Sequence, residues 1–154
     1  MNNLEHRNSF SARLKRYLPL ILWAGVIFIL SSNAGSASNT SLIIRPIVLW
    51  LFPDISEDGL ATVHYFVRKT AHVTEYGILG LLALRAYKDS AWKLLQRWRY
   101  IFAVLTALFI AACDETNQSF LASRTGQPQD VLLDTCGACI VLILCYRIGR
   151  ILSR

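Results

Sequence analysis

Residues 63–85 read V-H-Y-F-V-R-K-T-A-H-V-T-E-Y-G-I-L-G-L-L-A-L-R. The second half, from Gly77 to Leu84, is uncharged and apolar; the first half carries Arg68, Lys69, His72 and Glu75. An intramembrane charge at a helix centre costs about 2.5–3.5 kcal/mol on insertion scales. A segment that joins such a run to such charges either stays out of lipid or turns its charges toward protein. At 100° per residue, Lys69, His72, Glu75 and Tyr76 fall within about 120° of one helix face. Arg68 falls in the same arc, and Thr70, Val73 and Gly77 fall on the other side. The charges therefore share one wall, which is expected to face a bundle interior.

Three more stretches share the apolar character. One runs from about Tyr17 to Ser32 around L-P-L-I-L-W-A-G-V-I-F-I-L, one from Tyr100 to Cys113, and one from Val131 to Tyr146. The chain has 154 residues, of which 54% are hydrophobic, and a mean hydropathy of +0.40. The apolar residues come in blocks, which is the pattern of a small polytopic membrane protein. The expected fold is all-α: a polytopic membrane helix bundle of four transmembrane helices plus a short re-entrant or interfacial helix. That short helix is expected between Ser41 and Phe52, starting near Pro46 and anchored by Trp50, because this apolar stretch is too short to span. Residues 1–16 form a cytoplasmic tail, and residues 17–154 form one domain.

The net charge of +6 is distributed as membrane orientation requires. With the N-terminus inside, Arg7, Arg13, Lys15 and Arg16 are cytoplasmic. So are Arg85, Lys88, Lys93, Arg97 and Arg99 in the middle loop, and Arg147, Arg150 and Arg154 at the end. The other side holds Asp54, Glu57, Asp58, Glu75, Asp114, Glu115, Asp130 and Asp134. The positive-inside rule then gives four spans in the cell membrane with both ends cytoplasmic. The N-terminal run followed by S-S-N-A-G-S-A-S also looks like a secretory signal, but its removal would leave an odd number of spans. No basic face with base-reading residues occurs, so nucleic acid is not an expected partner. The expected partner is the lipid bilayer.

The four cysteines are Cys113, Cys136, Cys139 and Cys145. Cys136 and Cys139 make a C-x-x-C without a second Cys or His pair at zinc spacing. They read as small packing residues, with a redox pair as the alternative.

The third span ends A-A-C-D-E-T-N-Q-S-F, where Asp114 and Gln118 are i,i+4 neighbours with Glu115 beside them. The loop L-A-S-R-T-G-Q-P follows, and the fourth span opens with Asp130 and Asp134 on one face. Under the topology above, these groups meet Lys69, His72 and Glu75 at one leaflet. The expected ligand-binding set is Lys69, His72, Glu75, Tyr76, Asp114, Glu115, Gln118, Arg124, Asp130 and Asp134. An ion-pair network that only fixes helix packing is the plainer alternative. If chemistry occurs here, His72, Glu75, Asp114 and Glu115 are the acid–base candidates. His72, Glu75 and Asp114 are also a conceivable metal trio, although no cofactor follows from the residues. Ser119 and Ser123 have no context that marks a nucleophile.

At three stretches the chain resembles the VanZ-like family of membrane proteins. They are W-A-G-V-I-F-I-L-S-S with Ser36 and Ser38 beyond it, K-T-A-H-V-T-E-Y-G-I-L-G, and D-E-T-N-Q-S-F-L-A-S-R-T-G-Q-P-Q-D-V-L-L-D-T-C-G. Together they cover most of the chain beyond its tail. Two departures stand out: Ala122-Ser123 precede Arg124 where the family has Pro-Gly, and Asp134 stands where the family has Asn. The resemblance implies a Gram-positive cell-envelope role linked to antibiotic resistance, namely teicoplanin resistance. It implies an envelope lipid or a lipoglycopeptide as partner, and it names a phenotype rather than a reaction. A membrane-embedded enzyme acting on a lipid-linked envelope substrate is the competing expectation. A small transporter or partner subunit is less favoured, because the charges gather at one side.

Overall fold

The computed structural model describes residues 9–32, 37–121 and 126–152. Arg124, with Ser123 and Thr125, lies outside the described residues. Every regular element among the described residues is a helix: α1 Phe10–Ser31, α2 Ala37–Leu51, α3 Glu57–Lys88, α4 Lys93–Arg97, α5 Arg99–Ser119 and α6 Pro128–Leu152.

Local sequence explains the boundaries. Ser9 caps α1 by accepting from the Ala12 amide at 3.3 Å. Ser56 caps α3 by accepting from the Gly59 amide at 3.1 Å. These caps satisfy amides that have no partner within their helix. Glu57 and Asp58 open α3, and Arg85 and Lys88 close it, which suits the helix dipole at both ends. Pro128 begins α6, where the missing N–H costs no helix bond.

Three helices, α1, α5 and α6, are long and apolar enough to cross a membrane. α3 is longer than any of them at 32 residues, but its charged first half sets it apart by composition. The spans are longer than the apolar runs that mark them. α5 continues as helix through Asp114, Glu115 and Gln118 to Ser119, so the acids sit on the helix rather than in the loop after it. The short apolar helix also starts earlier than expected. α2 begins at Ala37 and holds Pro46 inside it. The proline forgoes one i→i−4 bond in the helix interior and does not mark its start. α2 packs on α3 alone among the described helices. Arg45 forms a two-pronged bridge to Glu57 at 3.0 and 2.7 Å. The guanidinium holds the Glu57 carboxyl below the ordinary carboxylate range, chiefly through those hydrogen bonds.

The bundle centre is α3, α5 and α6 packed on one another, with α1 laid across α3 and α5. Small residues make the close approach possible. Ala103, Ala107 and Ala111 form a fully buried i,i+4 row on α5. A Cβ placed on Gly80 would lie 3.3 Å from the Ala138 side chain, and one on Gly137 only 2.6 Å from the Val73 carbonyl oxygen. Gly77 is buried too, against Val141. The expectation that Val73 and Gly77 lie opposite the interior wall is therefore corrected. α3 has neighbours on several sides, so its interior face is wider than the arc of charges, whereas Thr70 and Thr74 are exposed.

Large apolar side chains cover the outside. Ile21, Leu22, Ile29, Phe66, Phe109, Ile140 and Ile143 are all more than half exposed. A belt of this kind exceeds what a water-facing surface tolerates and suits hydrocarbon. Trp50, Trp92 and Trp98 are exposed as well, as interfacial anchors are. All four cysteines are free thiols, and Cys136 faces outward.

Candidate functional site

The C-terminal end of α5 and the N-terminal end of α6 bring four polar side chains out of solvent: Asp114, Glu115, Gln118 and Asp134 are buried. The i,i+4 spacing of Asp114 and Gln118 puts them on one face of α5. There, Gln118 Nε2 donates to Asp114 Oδ2 at 2.9 Å. The same oxygen accepts from Ser31 Oγ at 2.7 Å. Ser31 is the last residue of α1 and is buried, so one carboxylate oxygen joins α1 to α5.

Glu115 does a different job. Its Oε2 accepts from the Gln127 amide at 2.8 Å, which ties the chain entering α6 to α5. Gly126 lies directly against this contact. A Cβ there would sit 2.4 Å from the Glu115 carbonyl oxygen, so only glycine fits without a shift in the backbone.

α3 forms the third wall. Lys69 pairs with Asp130 on α6, and both side chains are about three-quarters buried. His72 Nδ1 lies 4.0 Å from Glu75 Oε2 and 3.9 Å from Asp134 Oδ1. Below them, Trp23 Nε1 of α1 donates to the Glu75 carbonyl oxygen at 2.9 Å and fixes α1 against α3. Tyr76 is fully buried. Its hydroxyl and both Asp134 carboxylate oxygens are buried with no hydrogen-bond partner among the described residues.

Of the residues expected to form the site, Lys69, His72, Glu75, Tyr76, Asp114, Glu115, Gln118, Asp130 and Asp134 are described, and they line facing parts of α3, α5 and α6; Arg124 lies outside the described residues. Asp134 turns to His72, and Asp130, one turn earlier, turns to Lys69. Ser31, Trp23 and Gln127 join the site without having been assigned to it. Ser31 lies in a stretch already noted, as a polar residue closing an apolar run, but nothing local says which helix it will meet. Ser119 is exposed and donates to the Thr116 carbonyl at 2.7 Å, an ordinary helix-end contact. Among the described residues, no three His, Cys, Asp or Glu side chains are grouped to hold a metal ion. His72, Glu75 and Asp114 therefore do not form the trio that their spacing suggested.

Chemically, the site is rich in acceptors. Asp114, Glu115 and Asp134 are carboxyl groups removed from solvent, and burying such a group is costly without hydrogen bonds or a counter-charge. Asp114 and Glu115 have hydrogen-bond donors. Lys69 serves Asp130 at the rim. Lys69→Ala is expected to destabilise the protein by about 1–3 kcal/mol, between the values for exposed and buried pairs. The exchange Lys69→Asp with Asp130→Lys is expected to recover more than half of that loss in thermal unfolding of the detergent-solubilised protein.

No curated protein and no solved structure matches this chain. The sequence profile of the VanZ/LLP1 family matches residues 17–151, a range that takes in α3, α5, all but the last residue of α6, and every residue of the site. The chain belongs to the VanZ/LLP1 family.

Proposed function

We propose that this chain is a four-span protein of the Gram-positive cell membrane with both ends in the cytoplasm. Its buried polar site binds the head of an envelope lipid or of a teicoplanin-type lipoglycopeptide at the outer leaflet, lowering susceptibility to the drug. Length supports α3 as the fourth span. At 32 residues it is about 48 Å long, against a hydrocarbon core of about 30 Å. Lys69 and His72 turn toward Asp130 and Asp134 of α6 rather than toward lipid. The charge bias across the chain supports the orientation.

The observation that carries the binding reading is the buried set of Tyr76 Oη and the two Asp134 oxygens, which lack hydrogen-bond partners among the described residues. Native proteins rarely leave such groups unmet. Acceptors of this kind suit a ligand that brings donors, such as sugar hydroxyls or an amino group. Arg124 is proposed as a second cationic member of the site beside Lys69, on the strength of the resemblance.

Binding of labelled lipid II and labelled teicoplanin to the purified protein tests the reading. Saturable binding of one of them is expected. Glu75→Gln, Asp114→Asn and Arg124→Gln are each expected to abolish it, and the teicoplanin phenotype with it, while membrane insertion stays intact. No binding of either compound, or full function in all three variants, would overturn the proposal.

One arrangement favours a second reading. His72 between Glu75 and Asp134 places a group able to move protons beside two carboxylates. A membrane-embedded enzyme that modifies a lipid-linked envelope substrate would use these groups. Altered envelope lipids in a deletion strain, restored by the wild-type protein but not by His72→Gln, would select that reading.

A further inference from the structure

At the end of the bundle away from the carboxylates, two hollows meet. One, of about 570 Å³, lies among the ends of three helices and is lined by Lys88 of α3, Arg99 of α5 and Arg150 of α6, with Gly149 in its wall. The other, of about 420 Å³, runs between α5 and α6 and is apolar, lined by Ile101, Val104, Leu105, Leu142 and Ile143. Tyr100 and Tyr146 line both. Their rings meet edge to face at 5.6 Å and form the wall between the two compartments.

We infer that this continuous feature is a binding site for one anionic glycerophospholipid of the surrounding bilayer. The phosphate and its charge lie in the basic hollow, and an acyl chain lies in the apolar groove. Charge and position identify the occupant. Three cations from three helices converge where α3 and α6 end and α5 begins, which is the level of lipid headgroups under the four-span reading proposed above. The lining of this hollow contains no acid. Neither Lys88 nor Arg99 is ion-paired among the described residues. The Arg99 guanidinium rests over the Tyr100 ring at 5.3 Å, which holds it at the mouth. The groove beneath has no charged side chain and opens to the lipid-facing surface, so an acyl chain enters it sideways from the bilayer. Basic hollows between membrane helices hold anionic headgroups for these reasons. A zwitterionic lipid brings the same chains but leaves Lys88 and Arg99 without a net counter-charge. The site is separate from the carboxylate site and does not depend on what that site binds.

The test is native mass spectrometry of the full chain released from mixed micelles containing phosphatidylglycerol and phosphatidylcholine of matched chains. One phosphatidylglycerol per chain is expected to remain bound, with a preference of at least about fivefold over phosphatidylcholine. The pair Lys88→Gln and Arg99→Gln is expected to remove the preference. Lys88 is exposed and Arg99 partly so, so the fold should tolerate this change. Val104→Trp, which fills the groove, is expected to lower retention of both lipids. Equal retention of the two lipids by the wild type would overturn the inference. So would a preference unchanged in the glutamine pair, or full retention in Val104→Trp.

Discussion

Gly137→Ala is expected to destabilise the bundle by about 2–3 kcal/mol, as an overpacked interior does. The added methyl would lie 2.6 Å from the Val73 carbonyl oxygen and 3.0 Å from its Cα. Both are backbone atoms of α3, so no side-chain rotation relieves the contact. The only relief is to part α3 from α6. That movement would also loosen Gly77 from Val141 and Gly80 from Ala138, which pack along the same seam. It would draw Lys69 from Asp130 and His72 from Asp134 as well. Gly25 and Gly149 are the controls, because a Cβ at either meets nothing within 4 Å. Alanine there is expected to be neutral or to stabilise by about 0.5–1 kcal/mol, as a mid-helix glycine replaced by alanine does. Unfolding of the three variants in detergent, followed by circular dichroism, separates the cases. Gly137→Leu is expected to yield no folded protein.

The second large effect is at Asp114. Alanine there leaves Ser31 Oγ and Gln118 Nε2 without their acceptor. An unmet buried donor costs about 1–3 kcal/mol, so Asp114→Ala is expected to lose about 2–4 kcal/mol together with its function. Asp114→Asn keeps an acceptor oxygen of the same shape. It is expected to retain most of the stability while losing function, because a neutral amide cannot supply a carboxylate's charge or exchange its proton. Ser31→Ala removes one donor cleanly and is expected to cost about 1 kcal/mol. Unfolding measurements beside the drug-susceptibility assay distinguish a structural acid from a functional one. A purely structural Asp114 would make function follow stability through all three variants.

Much of this arrangement is written locally. The run from Gly77 to Leu84 and the three other apolar blocks mark the long helices. The i,i+4 spacings of Asp114 with Gln118 and of Asp130 with Asp134 place each pair on one face. The positions of Lys69, His72, Glu75 and Tyr76 follow from the helical period alone. What the sequence reading did not reach depends on partners. Whether Gly77 and Val73 face lipid or protein is decided by where α6 lies, and no periodicity on α3 contains that. Ser31 is a helix-ending serine until Asp114 arrives from 83 positions away. The start of α2 at Ala37 differs from the expected start near Pro46 because proline is a stronger signal at a helix's first turn than in its interior, and here it is interior. The metal trio failed for a related reason. Two of its members share α3 at i,i+3, but Asp114 is engaged by Ser31 and Gln118, and it is Asp134 that stands near His72.

The buried polar site at the ends of α5 and α6 is proposed to hold a ligand. A density map of the full-length protein in lipid nanodiscs loaded with lipid II tests this most directly. Ordered ligand density is expected between α3, α5 and α6, with a polar atom within hydrogen-bond distance of Tyr76 Oη or an Asp134 carboxylate oxygen. A map in which those three atoms are closed off by the protein's own side chains, with no ligand density beside them, would contradict the proposal.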